Sequence, residues 1–134
     1  MNVVVDTSIL SMALRRRQPL ARGPMLENLL ALIDEDEVLV LGPVRQELLS
    51  GIREKVQFHS VKTRLLAYRE AYPTRGDFET AAEMFNTCQS AGIQGSHIDL
   101  LICAMSARLD LPIFTLDKDF EHYARHLPIR LYAA

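Results

Sequence analysis

Four acidic residues stand where carboxylates could act together. Asp6 closes the run Val3-Val4-Val5-Asp6-Thr7-Ser8, and Glu47 lies in Pro43-Val44-Arg45-Gln46-Glu47-Leu48. Asp99 ends Gly95-Ser96-His97-Ile98-Asp99, and Asp117 sits in Thr115-Leu116-Asp117-Lys118-Asp119-Phe120. Singly, each suits a plainer duty. Asp6-Thr7-Ser8 could cap a helix, Glu47 could face solvent on one, Ser96-x-x-Asp99 fits a capping box, and Asp117 could open a turn. Gathered in one place they mean something else. Unpaired carboxylates within a few ångströms repel, so either their pKa values rise or a cation joins them. An all-oxygen donor set suits Mg²⁺ or Mn²⁺. Such ions activate water and stabilise the leaving oxygen in phosphodiester hydrolysis. The hydroxyls of Thr7, Ser8 and Thr115 would orient the carboxylates or a metal-bound water. Asp119 competes with Asp117 for the fourth place, but its position at a helix start suits a cap on backbone N–H groups, with Asp117 leaning toward Asp6.

Whether the acids meet depends on the elements that carry them. Residues 2–5, 38–41, 113–116 and 129–132 are short apolar or β-branched runs, as expected of strands buried on both faces. Between them the apolar residues recur at helical spacing: Leu26, Leu29, Leu30 and Ile33; Val44, Leu48, Leu49 and Ile52; Phe78, Ala81, Ala82, Phe85 and Cys88; Ile98, Leu101, Ile102, Met105 and Leu109. Residues 59–72 read as a further helix, 118–127 as a short one and 73–76 as a turn. Gly92 suits the position just past a helix end. Strands alternating with helices predict a three-layer α/β/α sandwich on a parallel sheet of four or five strands, in a single domain over residues 1–134. In such sheets the functional crevice lies beyond the carboxyl ends of the strands, at a switch in strand order. Asp6 and Asp117 follow strands directly, while Glu47 and Asp99 lie near the starts of helices. The topology therefore predicts that all four line one edge of one sheet.

Composition narrows the class. The chain has 134 residues, 49% hydrophobic and 24% charged, with six glycines and six prolines. This excludes collagen-like and low-complexity sequences and supports a real core. The longest apolar runs are a few residues, too short to span a membrane, and no N-terminal stretch reads as a signal peptide. Cys88 and Cys103 make no disulfide framework and read as reduced core thiols, so a cytoplasmic location is expected. The net charge is −2, yet eleven of the fifteen basic residues fall between positions 15 and 75. Part of the surface is thus expected to be basic while acids gather elsewhere.

The acid-bearing segments, in this order and spacing, resemble the PIN-domain ribonucleases, and more closely the VapC-type toxins of toxin–antitoxin pairs. The resemblance rests on Val4-Val5-Asp6-Thr7-Ser8, Pro43-x-x-x-Glu47-Leu48, Asp99-x-x-Ile102-x-Ala104 and Thr115-x-Asp117-x-Asp119-Phe120, and it covers essentially the whole chain. It implies that Asp6, Glu47 and Asp99 bind metal, with Asp117 as a fourth, less essential acid. It also implies cleavage of RNA with Mg²⁺ or Mn²⁺, a homodimer, and silencing by a cognate antitoxin protein. PIN domains also serve in RNA processing, so that role is an alternative. A non-catalytic RNA- or partner-binding module of the same fold is another.

Other constellations carry less. His122 and His126 are four apart, but no Glu completes a His-Glu-x-x-His pattern, and a surface pair is the simpler reading. A phosphoaspartyl hydrolase would need an Asp where Ser8 stands. There is no phosphate-cradling glycine loop and no Gly-x-Ser-x-Gly elbow. Arg15, Arg16 and Arg17 either form a solvated helix face or supply a rim that binds RNA phosphates beside an acidic pocket, extended by Arg22, Arg45 and Arg53. The apolar stripe over 78–91 reads as core or dimer surface.

Overall fold

The computed structural model describes residues 2–14 and 23–133. The chain runs β1 (Val3–Val5), α1 (Thr7–Leu14), α2 (Pro24–Asp34), β2 (Val38–Leu41), α3 (Gly42–Leu49), α4 (Lys55–Leu65), β3 (Arg69–Ala71), α5 (Arg75–Ser90), α6 (His97–Leu109), β4 (Ile113–Phe114) and α7 (Asp119–Ala124). The strands form one parallel sheet in the order β3-β2-β1-β4, with the seven helices of the described residues flanking it to give an α/β/α sandwich. Among the described residues no helix is long and apolar enough to cross a membrane.

The central strands are apolar because both their faces are covered. Every residue of β1 and β2 is buried. Val4 pairs with Leu39 on one side and Ile113 on the other, which places β1 at the middle of the sheet. Helix α6 is buried all round from Leu100 to Ser106, whereas α2, α3 and α5 bury one stripe each. Leu29 and Leu32 do so in α2, and Val44 and Leu48 in α3. Ala81, Met84 and Cys88 do so in α5, which packs extensively against α6. Helix α5 stops in a Schellman motif. Gly92 takes φ 78°, its N–H bonds the Gln89 carbonyl at 3.0 Å, and the Ile93 N–H bonds the Cys88 carbonyl at 2.8 Å. Cys88 and Cys103 are both buried and unpaired with each other.

Five boundaries differ from the sequence expectations. The helix expected over 59–72 ends at Leu65, and after a turn the chain forms the edge strand β3. Two of its three residues are charged: Arg69 pairs with Asp36 at 3.0 Å, and Glu70 with Arg45. Charge on an outer strand blunts an otherwise unpaired edge and also erases the apolar signature of a strand. The strand expected over 129–132 is reduced to a single parallel bridge between Leu131 and Ile113. The strand expected over 113–116 stops at Phe114, because the next two residues turn toward β1. The turn expected over 73–76 is a helix start: the Thr74 hydroxyl accepts from the Asp77 N–H, and the Asp77 carboxylate accepts from the Thr74 N–H, a reciprocal capping box. Helix α7 is also shorter than expected, so His126 lies beyond it.

Candidate active site

The strand order reverses between β1 and β4: from β1 the chain builds outward through β2 and β3, then returns to the other side of β1. The carboxyl ends of β1 and β4 therefore meet at the switch point, where an open α/β sheet forms its crevice. The Asp6 N–H continues the ladder by donating to the Phe114 carbonyl at 2.9 Å. Asp6 itself is 4% exposed. Its Oδ2 accepts from the Thr115 hydroxyl at 2.8 Å and from the Ser8 hydroxyl at 3.0 Å. Thr115 and Ser8 are themselves held, accepting from the backbone N–H groups of Asp117 and Leu116 at 2.9 and 3.0 Å. The carboxylate of Asp6 is thus fixed by side chains rather than serving as a cap for α1. This lattice has the form of groups that orient a ligand-bearing acid.

Asp99 comes from the first turn of α6. The Ser96 hydroxyl accepts its N–H at 3.0 Å and so caps the helix, but the Asp99 carboxylate does not return to the Ser96 backbone. Its Oδ2 accepts instead from the phenol of Tyr123 at 2.8 Å. Carboxylate oxygens of Asp99, Asp117 and Asp119 all lie within 4.8 Å of one another. Among the described residues this is the one group of three or more His, Cys, Asp or Glu side chains with such spacing. Burial pushes the Asp99 carboxyl up to about 6, the hydrogen bond from Tyr123 opposes that rise, and the charges of Asp117 and Asp6 add to it. The negative charges of Asp6, Asp99 and Asp117 therefore act on one another.

Glu47 reaches the same edge from α3. Its carboxylate accepts from the Thr7 hydroxyl at 2.5 Å, which ties it to the residue after Asp6, and it is exposed. The expected division between Asp117 and Asp119 is altered. Asp117 Oδ1 accepts from the Asp119 N–H at 2.9 Å, so Asp117 is the acid that caps, and Asp119 presents an exposed carboxylate to the cluster. The reason is local: Asp117 is two residues upstream of the first free N–H of α7, the spacing of an Asx turn.

Arg15, Arg16, Arg17 and Arg22 lie outside the described residues. Of the other arginines expected to extend that rim, Arg45 is paired with Glu70 and Arg53 is exposed. His122 and His126 are exposed, and the His97 ring stacks on Phe85 with centroids 5.0 Å apart. Two features escaped the sequence reading. Tyr123 is fully buried, and an inward tyrosine on a helix already announces a need for a hydroxyl partner. Asp77, 2% exposed, receives both arms of the Arg108 guanidinium at 2.8 and 2.9 Å, joining the start of α5 to the end of α6. The spacing Thr74-x-x-Asp77 was the available signal.

The PIN-domain family model matches residues 3–126. The chain belongs to the PIN-domain family. No curated protein matches it in sequence. Among solved structures it is similar to VapBC2 from Rickettsia felis, bound to a DNA fragment from their promoter, with TM-score 0.77, 18% identity and 98% of each chain covered. It is also similar to FitAcB from Neisseria gonorrhoeae, with TM-score 0.76, 19% identity, and 98% of this chain and 96% of that one covered. A third similar structure is VapC20 of Mycobacterium tuberculosis, a Sarcin-Ricin loop cleaving toxin, with TM-score 0.67, 15% identity, and 96% and 99% covered. At these identities the likeness is one of fold.

Proposed function

We propose that this chain is a divalent-metal-dependent endoribonuclease and the toxin of a toxin–antitoxin pair. The observation that carries the reading is the convergence of Asp99, Asp117 and Asp119 within 4.8 Å, beside the buried Asp6, at the switch point of a PIN-domain sheet. The donor set fits Mg²⁺ or Mn²⁺: it is all oxygen, and burial, with the charges of Asp117 and Asp6 adding to it, already raises the affinity of Asp99 for a proton. Asp6, Glu47, Asp99 and Asp117 would hold the ion, with Asp119 at hand beside Asp117. When bound, the ion supplies an activated water and stabilises the charge of the leaving oxygen.

The chain's own residues do the positioning. Thr115 and Ser8 hold Asp6 through its Oδ2, and Thr7 holds Glu47. The short parallel connections at the sheet edge keep these groups on strand and helix ends rather than on long loops, which favours a preorganised site. The acidic crevice repels RNA, so phosphate contacts must come from basic residues around it. Arg15, Arg16 and Arg17 are the proposed source.

The partners follow the same reading. Exposed Phe78 and Tyr72 border two adjoining apolar grooves that share Phe78, Ile98 and Leu101, a face suited to a second copy in a homodimer. The toxin–antitoxin complexes of similar fold support a cognate antitoxin, whose Arg or Lys would be attracted to the acids.

The test is RNA cleavage by the purified chain with Mn²⁺ or with chelator, alongside Asp6→Asn. Metal-dependent cleavage that falls by about 100-fold or more in the variant, at unchanged fold, is expected, since even an outer partner of a metal ligand is worth about 10–100-fold. In cells, expression should slow growth unless the antitoxin is supplied, and Asp6→Asn should not. Cleavage that ignores both chelator and Asp6→Asn would overturn the metal-site reading, and RNA binding without cleavage would leave a binding module as the better account.

A further inference from the structure

We propose that Tyr123 is a positioning residue for the acid cluster, its phenol fixing the plane of the Asp99 carboxylate so that Asp99 meets Asp117 and Asp119 in one preset arrangement. This rests on the proposed metal site and adds to it a residue that none of the acid motifs contains.

The geometry points to it in three ways. Tyr123 is fully buried, yet its hydroxyl is directed at one partner, Asp99 Oδ2, at 2.8 Å. Second, Tyr123 is four residues after Asp119 on α7, so both lie on one face of one short helix. The helix that delivers an acid to the cluster thereby also clamps the acid delivered by α6. Third, the ring has a built seat. It meets Phe120 edge to face at 5.2 Å, and a Cβ at Gly95 would lie 3.4 Å from its Cε1 and 2.3 Å from Leu100 Cδ2. Gly95 thus makes room for the end of the Leu100 side chain, with the Tyr123 ring lying beside it under the start of α6.

A carboxylate held by one short hydrogen bond loses rotational freedom, so less entropy is lost when an ion binds. A buried tyrosine serving only as core would place its hydroxyl on any backbone carbonyl. Here it is placed on a member of the cluster.

Tyr123→Phe keeps the ring and removes the clamp. Binding of Mn²⁺, followed by the electron-spin resonance of the free ion, should weaken about 10-fold or more, the usual effect of losing an outer partner. Combined with Asp99→Asn, the variant should cost no more than Asp99→Asn alone, because Tyr123 acts through Asp99. Equal Mn²⁺ affinity in wild type and Tyr123→Phe, or additive losses, overturns the positioning role and leaves the proposed metal site standing. Absence of Mn²⁺ uptake by wild type overturns both. Should Tyr123→Phe not fold, wild-type protein carrying 3-fluorotyrosine gives a second measurement. The fluorine resonance of Tyr123, the one fully buried tyrosine of the four, should move on addition of Mg²⁺. A resonance that stays fixed while Mg²⁺ binds overturns the role.

Discussion

The hydroxyl of Thr115 donates to Asp6 Oδ2 at 2.8 Å across 109 positions of sequence. The bond closes the switch point, because Asp6 ends the central strand and Thr115 follows its neighbour β4. Thr115 also accepts the Asp117 N–H, so one hydroxyl links the positions of two acids. Thr115→Val keeps the shape and removes both bonds, together with a longer contact to the Ser8 hydroxyl at 3.3 Å. It should lower metal-dependent cleavage by about 10–100-fold and cost about 1 kcal/mol of stability. Cleavage rates and denaturant melts of the purified variant check this; a variant that loses stability but cleaves like wild type would remove Thr115 from the site.

Asp117 and Asp119 should separate by stability. Asp117 carries the cap, so Asp117→Ala should cost about 1 kcal/mol as well as activity. Asp119→Ala should be nearly neutral in stability while weakening Mn²⁺ binding. Side-by-side melts and titrations decide it, and a large stability loss confined to Asp119→Ala contradicts the arrangement.

Asp99 makes the metal-free protein sensitive to pH. Burial first, then Asp117 and Asp6, push its carboxyl from the ordinary 3.8 to about 6. The folded chain therefore holds that proton more tightly than the unfolded one, and stability declines as pH rises from about 4 to about 6. Asp99→Asn should remove the decline, so in chelator it should melt above wild type at pH 7 and converge with it near pH 4. Mn²⁺ uptake by wild type should weaken below about pH 6, where the ion must displace a proton. A melting difference that is flat across this range would count against it.

Arg108 and Asp77 test structure apart from chemistry. Arg108 holds the Asp77 carboxyl below its ordinary 3.8, with the Thr74 N–H assisting against burial. Arg108→Ala leaves a buried carboxylate with one backbone donor and should cost about 1–3 kcal/mol at pH 7. The difference from wild type should shrink in acid, as pH falls through the lowered folded value and the pair's contribution is lost. Mn²⁺ affinity should not change.

The central strands and Asp6 were legible for one reason: strands buried on both faces are apolar throughout, so a polar residue directly after one is conspicuous. Val3 to Val5 and Val38 to Leu41 announced themselves, and Asp6 stood out behind the first. Strand β3 did not, because Arg69 and Glu70 satisfy an edge rather than a core. Asp99 was legible as part of a helix start, but its bond to Tyr123 crosses 24 positions and no local pattern encodes it. The cap on α7 was assigned to Asp119 instead of Asp117 because the sequence does not fix where a short helix begins to within two residues.

The order of the strands also sets a timetable. Strand β1 is synthesised before its two neighbours, and one of them, β4, follows only after β2, β3 and six helices of the described residues. At about 5–20 residues per second, the 109 positions from Asp6 to Thr115 take roughly 5–20 s to translate. Throughout that interval a nascent chain on the ribosome has its first acid and no completed cluster. The acids at the switch point can act together only once β4 and the residues after it have been made and have joined β1, so a product truncated before β4 lacks Thr115, Asp117 and Asp119.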